Sequence, residues 1–129
     1  MTKYCIYRCN VCGNIVQKLI DGAGELVCCG EAMEKLKPQT HEENITEKHV
    51  PIFLKHDDGT TEVRVGEVLH PMENEHYIMF IETISADDKH IQIEFLKPND
   101  EPKMHIKNCD NMKALEYCNI HGLWEGNND

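Results

Sequence analysis

The sequence has few basic residues, and this scarcity excludes one broad class of function. Its 129 residues contain 13 lysines and arginines against 23 aspartates and glutamates, so the formal net charge is −10 with histidine neutral. General binding to nucleic acid needs a basic stripe that neutralises phosphates. The sequence has no such stripe, and we therefore expect no nucleic-acid partner.

Long apolar runs are also missing. No segment approaches the roughly 20 apolar residues that span a bilayer, and the opening residues, MTKYCIYR, lack the apolar core of a secretory signal. We therefore expect no membrane partner and a cytoplasmic, reducing location. In that environment cysteines bind metal ions more often than they form disulfides.

Helical periodicity, internal repeats and low-complexity tracts are absent as well. Short strand-like segments separated by turn-forming residues are present instead, and they predict a mainly β protein with an antiparallel sandwich or barrel after residue 48. The residues around 44–48 are compatible with one helical turn. The predicted strands are residues 14–20, 25–27, 50–55, 62–65, 77–84, 90–95, 104–107 and 114–118.

Cysteine and histidine are plentiful, with 7 and 8 residues respectively. Five cysteines lie within the first 29 residues, and this change of composition predicts two domains, residues 1–36 and 37–129. A segment of about 36 residues buries too little apolar surface to fold unaided, and chains below roughly 40 residues usually need a metal, disulfides or oligomerisation. We therefore expect the first domain to depend on a metal.

Four cysteines of the first domain have the spacing of a metal site. Cys9 and Cys12 form a Cys-x₂-Cys pair, and Cys28 and Cys29 follow as an adjacent pair. A hairpin that returns the second pair to the first closes a tetrahedral site for zinc or iron. Neighbouring strand residues point to opposite faces, so both can bind only if the backbone bends sharply. A purely structural zinc site is the alternative, and Cys5 is left as a free thiol.

A second group combines histidines with a late cysteine. These residues lie at predicted strand ends and turns, and imidazole with one thiolate suits iron, copper or zinc. Residue chemistry alone leaves the complete ligand set open. His41, His56, His90 and His105 are interpreted as solvated or structural, and Cys109 has no evident partner. The candidate ligands are His49, His70, His76, Cys118 and His121.

The motifs resemble those of a known family. Residues 7–16 (YRCNVCGNIV) and 24–33 (GELVCCGEAM) are similar to the desulforedoxin-type module of desulfoferrodoxin. Residues 47–51 (EKHVP), 70–72 (HPM), 75–77 (EHY) and 118–124 (CNIHGLW) are similar to the superoxide reductase domain that follows it. The resemblance covers nearly the whole chain, and its motifs occur in the family's order.

This resemblance implies a two-iron superoxide reductase whose second domain is an immunoglobulin-like β-sandwich. Cys9, Cys12, Cys28 and Cys29 would hold an Fe(Cys)₄ centre. The second iron would take His49, His70, His76 and His121 as equatorial ligands and Cys118 as the axial thiolate, with a sixth position open to superoxide.

The resemblance also implies roles for two residues outside this ligand set. Glu47 would bind the ferric ion after turnover, and Lys48 would attract superoxide and assist its protonation. A rubredoxin-like electron donor and a homodimer are implied as well. The alternatives are an iron electron-transfer protein without superoxide chemistry, a zinc-stabilised binding module and a dismutase.

Overall fold

The chain is described by a computed structural model over residues 5–40, 49–66, 71–107 and 110–127. Across these residues it forms twelve β-strands and no helix, so the prediction of a mainly β protein is confirmed. The chain divides into two compact units, Met1–Lys37 and Pro38–Asp129. No helix in the described ranges is long and apolar enough to cross a membrane. The predicted helical turn at 44–48 lies outside the described residues.

The first unit contains five short strands. A three-stranded antiparallel sheet has the order β2-β1-β5, and β3 pairs with β4 in a separate hairpin. Ile6 and Cys9 are the two buried side chains among its described residues. So small a core supports the expectation that a metal stabilises this unit. The strands are β1 (Cys5–Arg8), β2 (Ile15–Lys18), β3 (Val27–Cys28), β4 (Glu31–Ala32) and β5 (Glu34–Lys35).

The second unit contains two antiparallel sheets with a buried core. One sheet has the order β10-β7-β6 and the other β12-β11-β8-β9. This division of seven strands into three and four is that of an immunoglobulin-like sandwich, as predicted. The strands are β6 (Pro51–Lys55), β7 (Thr60–Val65), β8 (Ile78–Ile84), β9 (Ile91–Phe95), β10 (Lys103–Lys107), β11 (Lys113–Cys118) and β12 (Gly122–Asn127).

The sandwich core follows the alternation of the strands. Val63 and Val65 of β7 lie in one buried cluster with Ile81 of β8 and Ala114 of β11, and all four are fully buried. In β8 the residues from Ile81 to Ile84 are buried consecutively, so this part of the strand is covered on both faces.

Four strands, β1, β4, β5 and β12, were not predicted from the sequence. Strand β1 is only four residues long and owes its structure to pairing with β2 and β5 on either side. Strand β12 contains two glycines, which weaken the local strand signal, but it pairs with β11 along its whole length. Strands β4 and β5 have only two residues each, which is too short for a pattern of alternation. All four strands are therefore defined by their pairing and not by a local sequence pattern.

Candidate metal centres

The four cysteines predicted as a group in the first unit lie together. The Sγ atoms of Cys12 and Cys28 are 3.6 Å apart, and those of Cys28 and Cys29 are 3.9 Å apart. All four sulfur atoms lie within 4.8 Å of one another. Metal–sulfur bonds of about 2.3 Å in a tetrahedron separate the sulfurs by about 3.8 Å. The cluster therefore has the dimensions of a site for one tetrahedral ion.

The backbone supplies the sharp bend that the adjacent cysteines require. Cys29 has a φ of 55°, in the left-handed region that non-glycine residues rarely adopt, and Gly30 follows with a φ of 76°. This reversal brings Sγ of Cys29 to the same side as Sγ of Cys28. The strain at Cys29 is characteristic of a functional position, where tertiary structure holds an unfavourable backbone angle.

The sulfur atoms differ in their proton affinity. The backbone N–H groups of Cys12 and Val11 donate to the sulfur of Cys9 and lower its pKa to about 6. Hydrogen bonding to Cys12, Cys28 and Cys9 raises the pKa of Cys29 to about 12. Contacts with Cys12 and Cys9 likewise raise the pKa of Cys28. Without a metal, the group thus favours a thiolate at Cys9 beside protonated thiols at Cys28 and Cys29, and a cation must displace the protons of these two.

The second unit brings three of the predicted histidines together with Cys118. Nitrogen atoms of His49, His76 and His121 and Sγ of Cys118 all lie within 4.8 Å of one another. The separation from Sγ of Cys118 to Nδ1 of His121 is 3.9 Å. Six-coordinate ligands at about 2.1 Å are about 3 Å apart when adjacent and about 4.2 Å apart when opposite. The donor set therefore fits around one ion, and His49 and Cys118 are fully buried.

The four donors come from three separate parts of the sandwich. His49 lies two residues before β6, His76 lies two residues before β8, and Cys118 and His121 flank the turn between β11 and β12. The pairing of β11 with β8 shifts register between Tyr117 and Cys118. Such a bulge turns a side chain away from its alternating position, and here both of these consecutive residues are buried.

Asn119, in the turn between β11 and β12, forms hydrogen bonds with the residues on either side of His76. The Asn119 amide group donates to the carbonyl oxygen of Glu75 at 3.0 Å, and its Oδ1 accepts from the backbone N–H of Tyr77 at 3.0 Å. These bonds hold both neighbours of His76. The sequence analysis did not single out Asn119, because a turn asparagine between two ligands has many ordinary explanations.

The His121 side of the site is held by Gln39 and Trp124. The Gln39 amide and the Trp124 indole N–H both donate to the carbonyl oxygen of His121, at 2.8 and 3.2 Å. The Trp124 ring also stacks on His49, with ring centroids 4.8 Å apart and an interplanar angle of 16°. The sequence signal for Trp124 was its place in the CNIHGLW motif, whereas Gln39 lies 82 residues from His121 and carried no signal.

Several predicted residues lie outside the described part of the chain. Glu47, Lys48 and His70 belong to this group, so the structure describes three of the four predicted histidine ligands of the second site. Cys109 is also outside it. Cys5 is half-buried in β1 and does not belong to the four-cysteine group.

Both parts of the chain match models of one family. The desulfoferrodoxin model matches residues 41–127, and the model of the desulfoferrodoxin N-terminal domain matches residues 2–36. The chain belongs to the desulfoferrodoxin family. It is 48% identical to a desulfoferrodoxin of Desulfarculus baarsii over 124 residues, which cover 95% of each chain. It is 46% identical to a desulfoferrodoxin homolog of Archaeoglobus fulgidus over 93% of this chain and 94% of that protein.

Solved structures and shorter relatives extend the comparison. The structure of a superoxide reductase from Treponema pallidum is 25% identical, with a TM-score of 0.74 over 95% of this chain and 97% of that chain. A superoxide reductase of Pyrococcus abyssi is 36% identical over 96 residues, 61% of this chain and 84% of that protein. The two-domain resemblance inferred from the motifs is thereby confirmed.

The donor sets fit the two iron centres expected of a desulfoferrodoxin. Four thiolates suit a tetrahedral iron, and imidazoles with one thiolate suit an iron that keeps an open position. The two donor sets and the family together confirm the predicted cofactors, two iron ions per chain. The fourth histidine of the second centre, His70, stays a prediction because it lies outside the described residues.

Proposed function

We propose that this desulfoferrodoxin is a superoxide reductase acting at the histidine–cysteine centre of its second unit. One superoxide, one electron and two protons give one hydrogen peroxide. The observation that carries the proposal is the convergence of donor atoms from His49, His76, His121 and Cys118, of which His49 and Cys118 are fully buried. The relatives named superoxide reductase, which match the second unit, support the same reaction. The iron supplies the electron when bound, and an external donor restores it.

The ligands of this centre set its charge. Neutral imidazoles contribute none, so a ferrous ion of charge +2 and a Cys118 thiolate of charge −1 leave a net +1. The protein as a whole carries a formal charge of −10, which repels an anion at long range. Fields in salt decay over about 8 Å, so a local positive charge governs the final approach of superoxide.

We assign roles near the iron to the two residues that precede His49. Lys48 adds positive charge at the entrance and supplies a proton to the reduced substrate. Glu47 closes the open position in the oxidised protein. Both assignments rest on the EKHVP motif, in which these two residues directly precede the ligand His49 in the sequence.

Reductant consumption distinguishes the proposed reaction from its competitors. A reductase consumes one electron from the donor for each superoxide removed, whereas a dismutase removes superoxide without external reductant. An electron-transfer protein has a closed second centre that does not bind azide or cyanide. A zinc-stabilised module is colourless and contains no iron. Stoichiometric oxidation of the pre-reduced protein by superoxide, with anion binding to the ferric form, is the expected result.

Two substitutions test the assigned roles. Lys48→Ile should slow the bimolecular reaction with superoxide and flatten its dependence on ionic strength, as measured by pulse radiolysis. A wild-type rate and a wild-type salt slope would remove Lys48 from the mechanism. Glu47→Ala should preserve a fast reaction but change the visible spectrum of the ferric protein. An unchanged spectrum would remove Glu47 from the resting site.

We also propose a division into two domains, a cellular location, a dimeric state and a class of electron donor for this protein. We assign residues 1–36 to a desulforedoxin-like domain and residues 37–129 to the catalytic domain. The protein acts in the cytoplasm as a homodimer and takes electrons from a rubredoxin-like donor, in keeping with the family resemblance and the reducing environment that its cysteines suit. Sedimentation equilibrium of the iron-loaded protein tests the dimer, and a single-protomer mass would exclude it.

A further inference from the structure

A third group of possible metal ligands lies in the three-stranded sheet of the second unit, outside both iron centres. Nε2 of His56 and Nε2 of His105 are each 3.7 Å from Oε1 of Glu62. These three donor atoms lie within 4.8 Å of one another. Both histidines were interpreted from the sequence as solvated or structural, because no other candidate ligand lies near either of them in the sequence.

Strand register explains why the three side chains meet. Glu62 of β7 lies directly opposite His105 of β10 and opposite Leu54 of β6. His56 follows the last residue of β6 and is two residues beyond Leu54, so it lies on the same face and diagonal to Glu62. The backbone N–H of His56 donates to the carbonyl oxygen of Thr60 at 2.9 Å, which keeps this position in the ladder.

Only one of the two oxygens of the Glu62 carboxylate lies toward the two imidazoles. Glu62 is only 5% exposed, although it is a charged residue in a strand where polar and apolar residues alternate. Burial raises its pKa, but the hydrogen bond and charge of Arg64 outweigh this effect, with help from Lys103 and His105, and the pKa lies below its usual value. Arg64 binds Oε2 at 2.6 Å, so Oε1 is the oxygen that faces the imidazoles.

The distances are close to those of a bound ion. Two ligands of a tetrahedral zinc, at bonds of about 2.1 Å, are about 3.4 Å apart. Each imidazole therefore needs to approach Glu62 by only a few tenths of an ångström. Both imidazoles are partly open to solvent, with 44% and 55% of their side-chain surface exposed, which permits this adjustment and admits a cation from solution.

We propose that His56, Glu62 and His105 bind one divalent cation of the borderline class, such as Zn²⁺, at a surface site that joins β10 to the β6–β7 hairpin. Two imidazoles and one carboxylate are a favoured ligand set for zinc, and water occupies the fourth position. Lys103 is the competing group, because its Nζ lies 3.9 Å from the same oxygen while it also pairs with Glu101 at 2.7 Å.

Zinc binding to the iron-loaded full chain tests the site. Equilibrium dialysis followed by elemental analysis should find one zinc per chain in addition to iron, in the wild type and in a His90→Ala control, which removes an exposed histidine elsewhere in the same unit. His56→Ala and His105→Ala should each weaken the affinity at least about tenfold. Lys103→Met should strengthen it severalfold, since a competing cation is removed.

A measurement on the unmodified protein separates this site from the iron centres. Zinc-edge X-ray absorption of the doubly iron-loaded protein should show imidazole nitrogen and oxygen neighbours without sulfur. Sulfur neighbours, or loss of the iron spectrum as zinc is added, would place zinc in an iron centre and overturn the proposal. Equal zinc affinity in the wild type and in the His56→Ala, His105→Ala double variant would overturn it as well.

Discussion

The pKa values of the individual cysteines determine how strongly protons compete with a metal ion for the sulfur atoms of the first centre. The low pKa of Cys9, about 6, makes it a thiolate at neutral pH, while the high pKa of Cys29, about 12, keeps it protonated until a metal displaces the proton. Metal binding therefore releases protons, and acid opposes it. Below about pH 6 Cys9 is protonated as well, so one more proton must be displaced.

We expect the affinity of the metal-free four-cysteine site to fall as the pH is lowered from 8 to 5, and to fall more steeply below about pH 6. Cobalt titration, followed by the thiolate-to-cobalt absorption, measures this dependence. Cys5→Ser is the matched control, because Cys5 lies outside the four-cysteine group and its loss should leave the profile unchanged. A pH-independent affinity would contradict the assignment of thiolates.

Among the secondary-structure elements, the approach of β12 to β6 depends on one glycine. A Cβ atom added at Gly126 would lie 2.1 Å from the carbonyl oxygen of Pro51 and 3.4 Å from Cγ1 of Val50. The first of these neighbours is backbone, so it cannot turn aside as a flexible side chain can. Because Pro51 begins β6, two residues after His49, the same contact also fixes the backbone near the second centre.

Gly126→Ala should lower the free energy of unfolding of the second unit by about 1–3 kcal/mol, the usual cost of forcing extra volume into a packed interior. Thermal unfolding followed by circular dichroism measures the change. Gly22→Ala is the control, since its added Cβ would meet no atom within 4 Å and its φ is not in the left-handed region. An unfolding temperature equal to that of the wild type would contradict this prediction, because it would show that β12 and β6 can move apart at little cost in free energy.

At the scale of the whole molecule, the two metal centres belong to two separate units. Among the described residues, all the donors of the four-cysteine group come from the first unit, and His49, His76, Cys118 and His121 all come from the second. We therefore expect the second centre, once its iron has been reduced, to react with superoxide without the first centre.

Cys12→Ser removes one ligand of the first centre and tests this independence. When reduced beforehand, the variant should still consume one superoxide per second-site iron at a rate close to that of the wild type, as followed by pulse radiolysis. Elemental analysis must show that the second iron is loaded. A loaded variant that no longer reacts would show that the centres act together.

Local sequence signals predicted most of the fold and many of the candidate ligands. The Cys-x₂-Cys spacing and the period-two alternation act over a few residues, so they are readable without tertiary contacts. The same is true of the need for a bend at Cys28 and Cys29, which the positive φ of Cys29 provides. Strands β1, β4, β5 and β12 were missed because the first three are short and β12 contains two glycines, so their local patterns are weak and only the pairing defines them.

The sequence by itself determined the mainly β character, the presence of two metal centres and the family. Only the tertiary structure decided which distant donors meet. It brought His49 and His76 to Cys118, at the point where the pairing of β11 with β8 shifts register, and it placed Glu62 beside His56 and His105. Convergence of this kind depends on strand register and sheet packing, which sum many weak contacts across the chain and leave no signal at any single position.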